Sequence, residues 1–152
     1  MIPDIAIKTY ELRIQRTIPA SPAETFDGWL DKSNPGTPWC EAEADEVILD
    51  PKVGKLFFFA RSKDDGRRFP HYGRFTRLER GSHIEHTWMS PATRGLETNV
   101  TITLHAKGDA TELTLVHTGV PDDDVGRGHR EGWTFILGAL ADRLESRRHS
   151  TK

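Results

Sequence analysis

The sequence predicts an α+β protein in which an antiparallel sheet curves around one long C-terminal helix. Within residues 126–147 the large apolar side chains recur at helical spacing on one face. These are Trp133, Ile136, Leu137, Leu140 and Leu144. The chain before this helix consists of short segments with a period of two, which is typical of strands. Because an amphipathic helix of this length must bury its apolar face, we expect it to lie against the sheet.

The first strand and the segment after it carry clear local signals. Residues 10–17 alternate apolar and polar side chains, which predicts a half-buried strand. Ser21 has the sequence of an N-cap, with Pro22 at the first helical position and Glu24 placed to complete a capping box. The breakers Pro35, Gly36 and Pro38 then interrupt the chain, so we expect one or two short helices before the second strand.

Six further strands are predicted in antiparallel succession, each ended by turn-forming residues. They span residues 42–49, 55–61, 68–78, 83–89, 97–106 and 112–118, with a hairpin loop at 63–66. The strand over 97–106 alternates most regularly, with Val100, Ile102 and Leu104 on one face. The acidic residues at 122–124 suit the start of the C-terminal helix better than a cation site.

Composition bounds the class of protein. A chain of 152 residues suits a single domain, residues 1–152 with a core over about 10–147. The formal net charge of -2 gives no reason to expect nucleic-acid binding, and no apolar run is long enough for membrane insertion. A lone cysteine, Cys40, cannot form an internal disulfide, and no signal-peptide pattern opens the chain, so we expect a cytoplasmic protein.

Several short strings together resemble one known family. The strings are Trp29-Leu30-Asp31, the glycine and aromatic run at 54–58, Tyr72-Gly73-Arg74-Phe75, Thr87-Trp88 and Gly132-Trp133. In this order they resemble bacterial proteins similar to the activator of Hsp90 ATPase, members of the START-like or Bet v1-like helix-grip superfamily, over residues 10–144. The resemblance implies a seven-stranded antiparallel sheet wrapped around the C-terminal helix, with a cavity for a small, mostly apolar molecule.

The resemblance also implies which side chains face that cavity. Phe58 matches the inward phase of its strand, so Phe57 and Phe59 are expected outside, where either another segment covers them or they form an interface, for example of a homodimer. The expected cavity lining comes from the sheet and the final helix. It comprises Phe58, His71, Phe75, His86, Trp88, Ile102, His117, Trp133, Leu137 and Leu140.

Three histidines, His71, His86 and His117, share the concave phase of their strands. They fit polar anchors in an apolar cavity, general acids or bases, or histidines that are hydrogen-bonded within a core. None of them has the local spacing of metal ligands, so we expect no metal and no cofactor. His129 shares a helix face with Trp133 and belongs either at the cavity mouth or in solvent.

The sequence therefore favours a non-enzymatic protein that binds a small apolar, aromatic or lipid-like ligand, with His86 and His117 as anchors. Two alternatives stay open. One is an interaction protein that acts as co-chaperone of an Hsp90-type ATPase, which the family resemblance alone suggests. The other is an enzyme that uses His86 or His117 on a small cyclic or polyketide-like substrate, which requires a solvent-connected cavity with one of these rings at its wall.

Overall fold

The structure is a computed structural model that describes residues 7–34, 37–40, 44–62 and 65–150. For residues 149 and 150 it describes the backbone alone. Within these residues, seven strands and two helices form the framework. The strands are β1 (Thr9–Ile18), β2 (Glu46–Ile48), β3 (Leu56–Ser62), β4 (Arg68–Glu79), β5 (His83–Trp88), β6 (Thr98–Lys107) and β7 (Ala110–Pro121). The helices are α1 (Pro22–Trp29) and α3 (His129–Ser150), with the single turn α2 (Asp124–Arg127) just before α3.

The strands form one antiparallel sheet in the order β1-β7-β6-β5-β4-β3-β2. Helix α3 buries one face in the core, through Trp133, Leu137, Leu140, Ala141 and Leu144. These side chains recur at intervals of three and four residues, as the sequence predicted. The α+β helix-grip fold is therefore confirmed, with one short helix after β1.

The predicted capping box at Ser21 is confirmed, but the C-terminal helix has a break. At α1, Ser21 Oγ accepts from the Glu24 amide at 3.1 Å and the Ser21 amide donates to Glu24 Oε1 at 3.2 Å. At the other end of the chain, Asp123 Oδ1 accepts from the Gly126 amide at 2.7 Å and caps α2. Gly128 separates α2 from α3, so the predicted single helix consists of a turn followed by a long helix.

The predicted facing of the three phenylalanines in β3 is wrong. Phe57 and Phe59 are 0% and 3% exposed in the core, while Phe58 lies on the outer face. The reason is the register with β4, which pairs Phe57 with Gly73 and Phe59 with His71. Three consecutive phenylalanines carry no period-two signal, so only cross-strand pairing decides which of them face inward.

Aromatic side chains fill the centre of the molecule, where the sequence predicted a cavity. Trp29 and Trp133 have ring centroids 5.9 Å apart, and Trp39 lies 5.3 Å from Phe57 and 6.0 Å from Phe75. The indole Nε1 of Trp39 donates to the Trp29 carbonyl at 2.8 Å, which fixes the segment after α1 across the core. Large side chains, rather than an open space, therefore separate most of α3 from the sheet.

Some boundaries differ from the sequence expectations. The strand expected over 42–49 is observed as Glu46–Ile48. Its expected start at Ala42, the hairpin residues Lys63 and Asp64, and the breakers Pro35 and Gly36 lie outside the described residues. The sequence did not predict the 3-10 helix Pro91–Thr93, which Ser90 caps after β5. Across the described part of the chain, none of the helices combines the length and apolarity that a membrane crossing requires.

Candidate functional site

A cavity of about 320 Å³ lies at the start of α3, displaced from the centre of the molecule. Its walls come from the inner face of β3, β4 and β5, from the 3-10 helix and from α2 and α3. The lining residues are Pro38, Phe59, Arg61, His71, Trp88, Ala92, Val125, Gly128, His129, Gly132, Trp133 and Ile136. Val125 is 65% exposed, so the cavity meets solvent at α2.

Aromatic rings make up the inner wall of this cavity. The imidazole of His71 stacks on Phe59 with centroids 4.5 Å apart and an angle of 3° between the rings. Trp88 lies 5.3 Å from His71 and 4.8 Å from Trp133, which connects the sheet to the helix. Rings held by such contacts form a rigid apolar surface against which a flat molecule can pack.

Arg61 places a positive charge in the same wall. Its Nη2 donates to the Pro38 carbonyl at 3.0 Å and to the Thr37 carbonyl at 3.4 Å. Its guanidinium carbon lies 5.7 Å from the centroid of the Phe59 ring, within cation–π range. Arg61 therefore ties the segment at 37–38 to β3 and closes that side of the cavity.

Two histidines line the cavity, His71 from β4 and His129 from α3. Nδ1 of His71 lies 3.2 Å from the Phe69 carbonyl, and Nδ1 of His129 lies 2.8 Å from the Gly126 carbonyl. A carbonyl oxygen can only accept, so Nδ1 carries the proton in both rings. Burial lowers the pKa of His71 to about 4, and the positive charge of Arg61 acts in the same direction. Burial also lowers the pKa of His129, so both rings are neutral at pH 7.

His117 lies directly behind His129 and is fully buried in a chain of hydrogen bonds. The Trp133 indole donates to His117 Nδ1 at 3.0 Å, and His117 Nε2 donates to Thr98 Oγ1 at 2.7 Å. Thr98 Oγ1 in turn donates to the Trp88 carbonyl at 2.5 Å. This chain fixes the tautomer of His117 and holds Trp133 and Trp88, two walls of the cavity, in place. Burial lowers the pKa of His117 to about 3, so the ring stays neutral.

Replacing Trp133 with phenylalanine is expected to destabilise the protein by roughly 1–3 kcal/mol more than the matched change at Trp29. The reason is that Trp133→Phe leaves His117 Nδ1 buried without a donor. Trp29 is as deeply buried, but its Nε1 has no hydrogen-bond partner among the described residues, so Trp29→Phe removes packing and breaks no hydrogen bond of the indole. Urea unfolding of both variants measures the difference, and equal losses would show that the bond to His117 contributes nothing.

His86 is enclosed by aromatic rings and does not reach the cavity. Its ring lies 5.1 Å from Phe57 and 5.8 Å from Trp39, and its Nδ1 donates to the Thr87 carbonyl at 2.9 Å. Its Nε2 is sealed from solvent and has no partner among the described residues. Burial lowers the pKa of His86 to about 4, so this ring behaves as a neutral part of the core.

Three of the predicted lining residues, His71, Trp88 and Trp133, line the observed cavity. The others do not. Phe58 lies on the outer face of the sheet because β3 has the opposite phase. The remaining six are packed in the core, where aromatic side chains occupy the space expected to be open: Phe75, His86, Ile102, His117, Leu137 and Leu140.

Sequence reasoning missed Phe59, Arg61, Ala92, Val125 and Ile136 as lining residues. Phe59 and Arg61 follow from the corrected phase of β3, and Ala92 and Val125 lie on short turns without a periodic signal. His129 was expected either at the cavity mouth or in solvent, and the structure places it in the lining of the cavity. Among the described residues, no three histidine, cysteine or acidic side chains are close enough together to hold a metal ion.

Comparison with known proteins gives the family and the fold. The sequence profile of the family described as "Activator of Hsp90 ATPase homolog 1-like protein" matches residues 19–145. No curated protein sequence matches the chain. Mll3558 from Rhizobium loti superposes with a TM-score of 0.78 at 22% identity, covering 91% of this chain and 99% of that one.

Two further solved structures have the same fold. CV1439 from Chromobacterium violaceum gives a TM-score of 0.71 at 23% identity, over 88% of this chain and 96% of that one. DynU16, from the dynemicin biosynthetic locus, gives a TM-score of 0.64 at 23% identity, over 89% of this chain and 47% of the DynU16 chain. At these identities the structures show a shared fold, and the profile match over most of the chain shows the family. This protein therefore belongs to the activator of Hsp90 ATPase homolog 1-like family.

Proposed function

We propose that this protein binds a small, mostly apolar molecule with aromatic character in the cavity at the start of α3. The observation that carries the proposal is the cavity itself, about 320 Å³ with walls of stacked aromatic rings and a few polar groups. Ligand sites in proteins commonly combine such apolar walls with a small number of placed polar atoms. The family's fold, an antiparallel sheet around a helix, supports the same proposal.

Binding is favoured over catalysis because of how the histidines are placed. The enzyme hypothesis needs His86 or His117 at a solvent-connected wall, but both are 0% exposed and neither lines the cavity. His71 does line it, yet its pKa of about 4 makes it a weak base at neutral pH. A neutral ring of this kind suits recognition better than proton abstraction.

Filling the cavity from the helix side tests this proposal. A Cβ added to Gly132 meets nothing within 4 Å, and Gly132 lines the cavity in a helical conformation. Gly132→Met is therefore expected to plug the cavity and weaken binding of the probe 2-naphthol at least tenfold. The same change is expected to raise helix stability by about 0.8 kcal/mol, because glycine is a poor helix former. Quenching of the emission of Trp88 and Trp133 reports the binding.

The matched control for the plug is Phe135→Met, which places the same residue on the solvent face of α3. Phe135 is 72% exposed, so this change leaves the cavity intact and is expected to leave 2-naphthol affinity unchanged. If Gly132→Met is stably folded and binds 2-naphthol as tightly as the natural protein, the cavity is not the binding site.

A chaperone interaction is the second proposal, and membership of this family is what supports it. Its test is the ATPase rate of a purified Hsp90-type chaperone with and without this protein, and an unchanged rate at saturating concentrations counts against it.

A cytoplasmic location is also proposed, because the single cysteine, Cys40, is free and buried.

Homodimer formation stays a proposal, but the proposed interface differs from the one expected from the sequence. The phenylalanines first expected to form the interface, Phe57 and Phe59, are buried. The outer face of the same strands instead carries Ile48, Phe58 and Tyr72, which are cross-strand neighbours. Ile48 is 56% exposed and Tyr72 is 40% exposed, so this row presents apolar surface to a partner. Sedimentation at high micromolar concentration decides, and a monomer there removes the proposal.

A further inference from the structure

We propose that the cavity selects ligands that carry a hydroxyl or another hydrogen-bond donor, because His71 and His129 each present to it a nitrogen that can only accept. This inference rests on the proposed binding function and names the class of ligand. It predicts that a phenol is preferred over its own ether and over a carboxylate of similar size.

The first step is the direction of the existing hydrogen bonds. In each ring Nδ1 donates to a backbone carbonyl, that of Phe69 for His71 and that of Gly126 for His129. A neutral imidazole with its proton on Nδ1 has only a lone pair on Nε2. Both cavity histidines are therefore acceptors at their remaining nitrogen.

The second step is that neither Nε2 is already used. Among the described residues, no hydrogen-bond partner lies at Nε2 of His71 or of His129. Nε2 of His86 is sealed from solvent without a partner, whereas Nε2 of His71 and of His129 are not among the sealed, unpartnered atoms of the described residues, and both rings line the cavity. A ligand that enters the cavity therefore meets two unsatisfied acceptors in otherwise aromatic walls, and a ligand donor gains a hydrogen bond with either of them.

The third step is that the two rings cannot easily exchange their nitrogens by turning over. The His71 ring is held flat on Phe59 at 4.5 Å and lies 5.3 Å from Trp88. The His129 ring stands perpendicular to His117 at 5.0 Å, and His117 is itself fixed by its bonds to Trp133 and Thr98. Turning either ring over would also break its bond to the backbone. The acceptor pattern is thus set before the ligand arrives.

The competing ligand chemistry is an anion attracted by Arg61. Two observations argue against attraction to Arg61 as the main factor that decides which ligand binds. Nη2 of Arg61 already donates to the carbonyls of Thr37 and Pro38. The lone pairs of His71 and His129 would also repel a carboxylate, because burial keeps the pKa of both rings below its usual value and both are neutral at pH 7. An anionic ligand is therefore included as an outcome of the test.

The test compares three naphthalenes that differ at one position: 2-naphthol, 2-methoxynaphthalene and 2-naphthoate. Tryptophan quenching at pH 7.5 measures the affinity of each for the natural protein. We expect 2-naphthol to bind about tenfold more tightly than 2-methoxynaphthalene, which keeps the oxygen but has no proton to donate, and also more tightly than 2-naphthoate. In the double variant His71→Phe/His129→Phe this preference is expected to disappear, because phenylalanine keeps the ring shape and offers no acceptor.

The control is His105→Phe, which alters an exposed histidine on β6 outside the cavity and is expected to keep the preference. Equal binding of 2-naphthol and its methyl ether overturns the inference and leaves the binding function standing. The inference is also overturned, with the binding function left standing, if 2-naphthoate binds tightest of the three. The outcome is the same if the double variant still prefers 2-naphthol over its methyl ether. Failure of all three probes to bind at millimolar concentration overturns both the inference and the proposed function.

Discussion

Acidification from pH 7 towards pH 4 is expected to remove several kcal/mol of folding free energy, before most carboxylates are protonated. Burial lowers the pKa of His71 and His86 to about 4 and that of His117 to about 3. In the unfolded chain these histidines have a pKa near 6.5. The unfolded state therefore binds more protons below pH 6.5, so stability falls as the pH falls through this window.

The size of this effect follows from the same pKa values. One pKa unit corresponds to about 1.4 kcal/mol, so by pH 4 each of the three rings has removed on the order of 3 kcal/mol of stability. Since domains of this size are stable by roughly 5–15 kcal/mol, the sum is comparable with the whole folding free energy. Lowered pKa values of surface carboxylates such as Asp27 and Asp31 add to acid lability, but only at lower pH.

Urea unfolding at intervals between pH 7.5 and pH 4.5 measures this loss. We expect stability to be flat above about pH 6.5 and to decline steadily below it. His86→Leu is expected to reduce the slope, because it removes one of the buried imidazoles whose pKa is lowered. Stability that does not change between pH 6.5 and pH 4.5 would mean that the buried rings accept protons in the folded state.

Substitution of Gly73 by alanine is expected to cost roughly 3 kcal/mol or more, the upper range for overpacking a core. An added Cβ would lie 2.1 Å from the Thr87 carbonyl oxygen and 2.7 Å from two atoms of the Phe57 ring. The Thr87 oxygen belongs to strand backbone, and the Phe57 ring is held by Trp39 at 5.3 Å and Phe75 at 5.6 Å. Neither neighbour can move away without disturbing the sheet or the core.

The matched control for Gly73→Ala is Gly138→Ala in α3. There the nearest atom to an added Cβ is Nη1 of Arg16 at 3.7 Å, an ordinary contact with the end of a flexible side chain. Alanine in a helix interior is expected to raise stability by about 0.5–1 kcal/mol. Thermal or urea unfolding of the two variants should therefore give changes of opposite sign. A Gly73→Ala protein as stable as the natural one would show that β3, β4 and β5 do not pack as described.

Most elements could be predicted from the sequence because they carry a local signal, but periodicity alone leaves several α+β topologies open, and the helix-grip topology was implied by the family resemblance. Alternation identified the strands, and the 3- and 4-residue spacing of Trp133, Leu137 and Leu140 identified the buried face of α3. The capping box at Ser21 fixed the start of α1, and the described hydrogen bonds confirm it. These signals depend on neighbours within a few residues, so no knowledge of the tertiary structure was needed.

The candidate site could be predicted only in part because its position depends on what fills the space between helix and sheet. Trp39 lies in a segment without periodicity, and nothing in the sequence indicates that its ring packs between Phe57 and Phe75. That ring, with Trp29, closes the central space and leaves the cavity near His129. The facing of Phe57 could have been suspected from Gly73, whose missing side chain leaves room for a ring, but only once the pairing of β3 with β4 was known.

The four tryptophans provide the most direct test of the central claim, that a small molecule binds at the start of α3 and not in the middle of the molecule. Trp88 and Trp133 line the cavity, while Trp29 and Trp39 are packed in the core. In a titration with 2-naphthol, the indole N–H signals of Trp88 and Trp133 in a proton–nitrogen correlation spectrum are expected to shift, and those of Trp29 and Trp39 to stay. Shifts confined to Trp29 and Trp39 would contradict the claim.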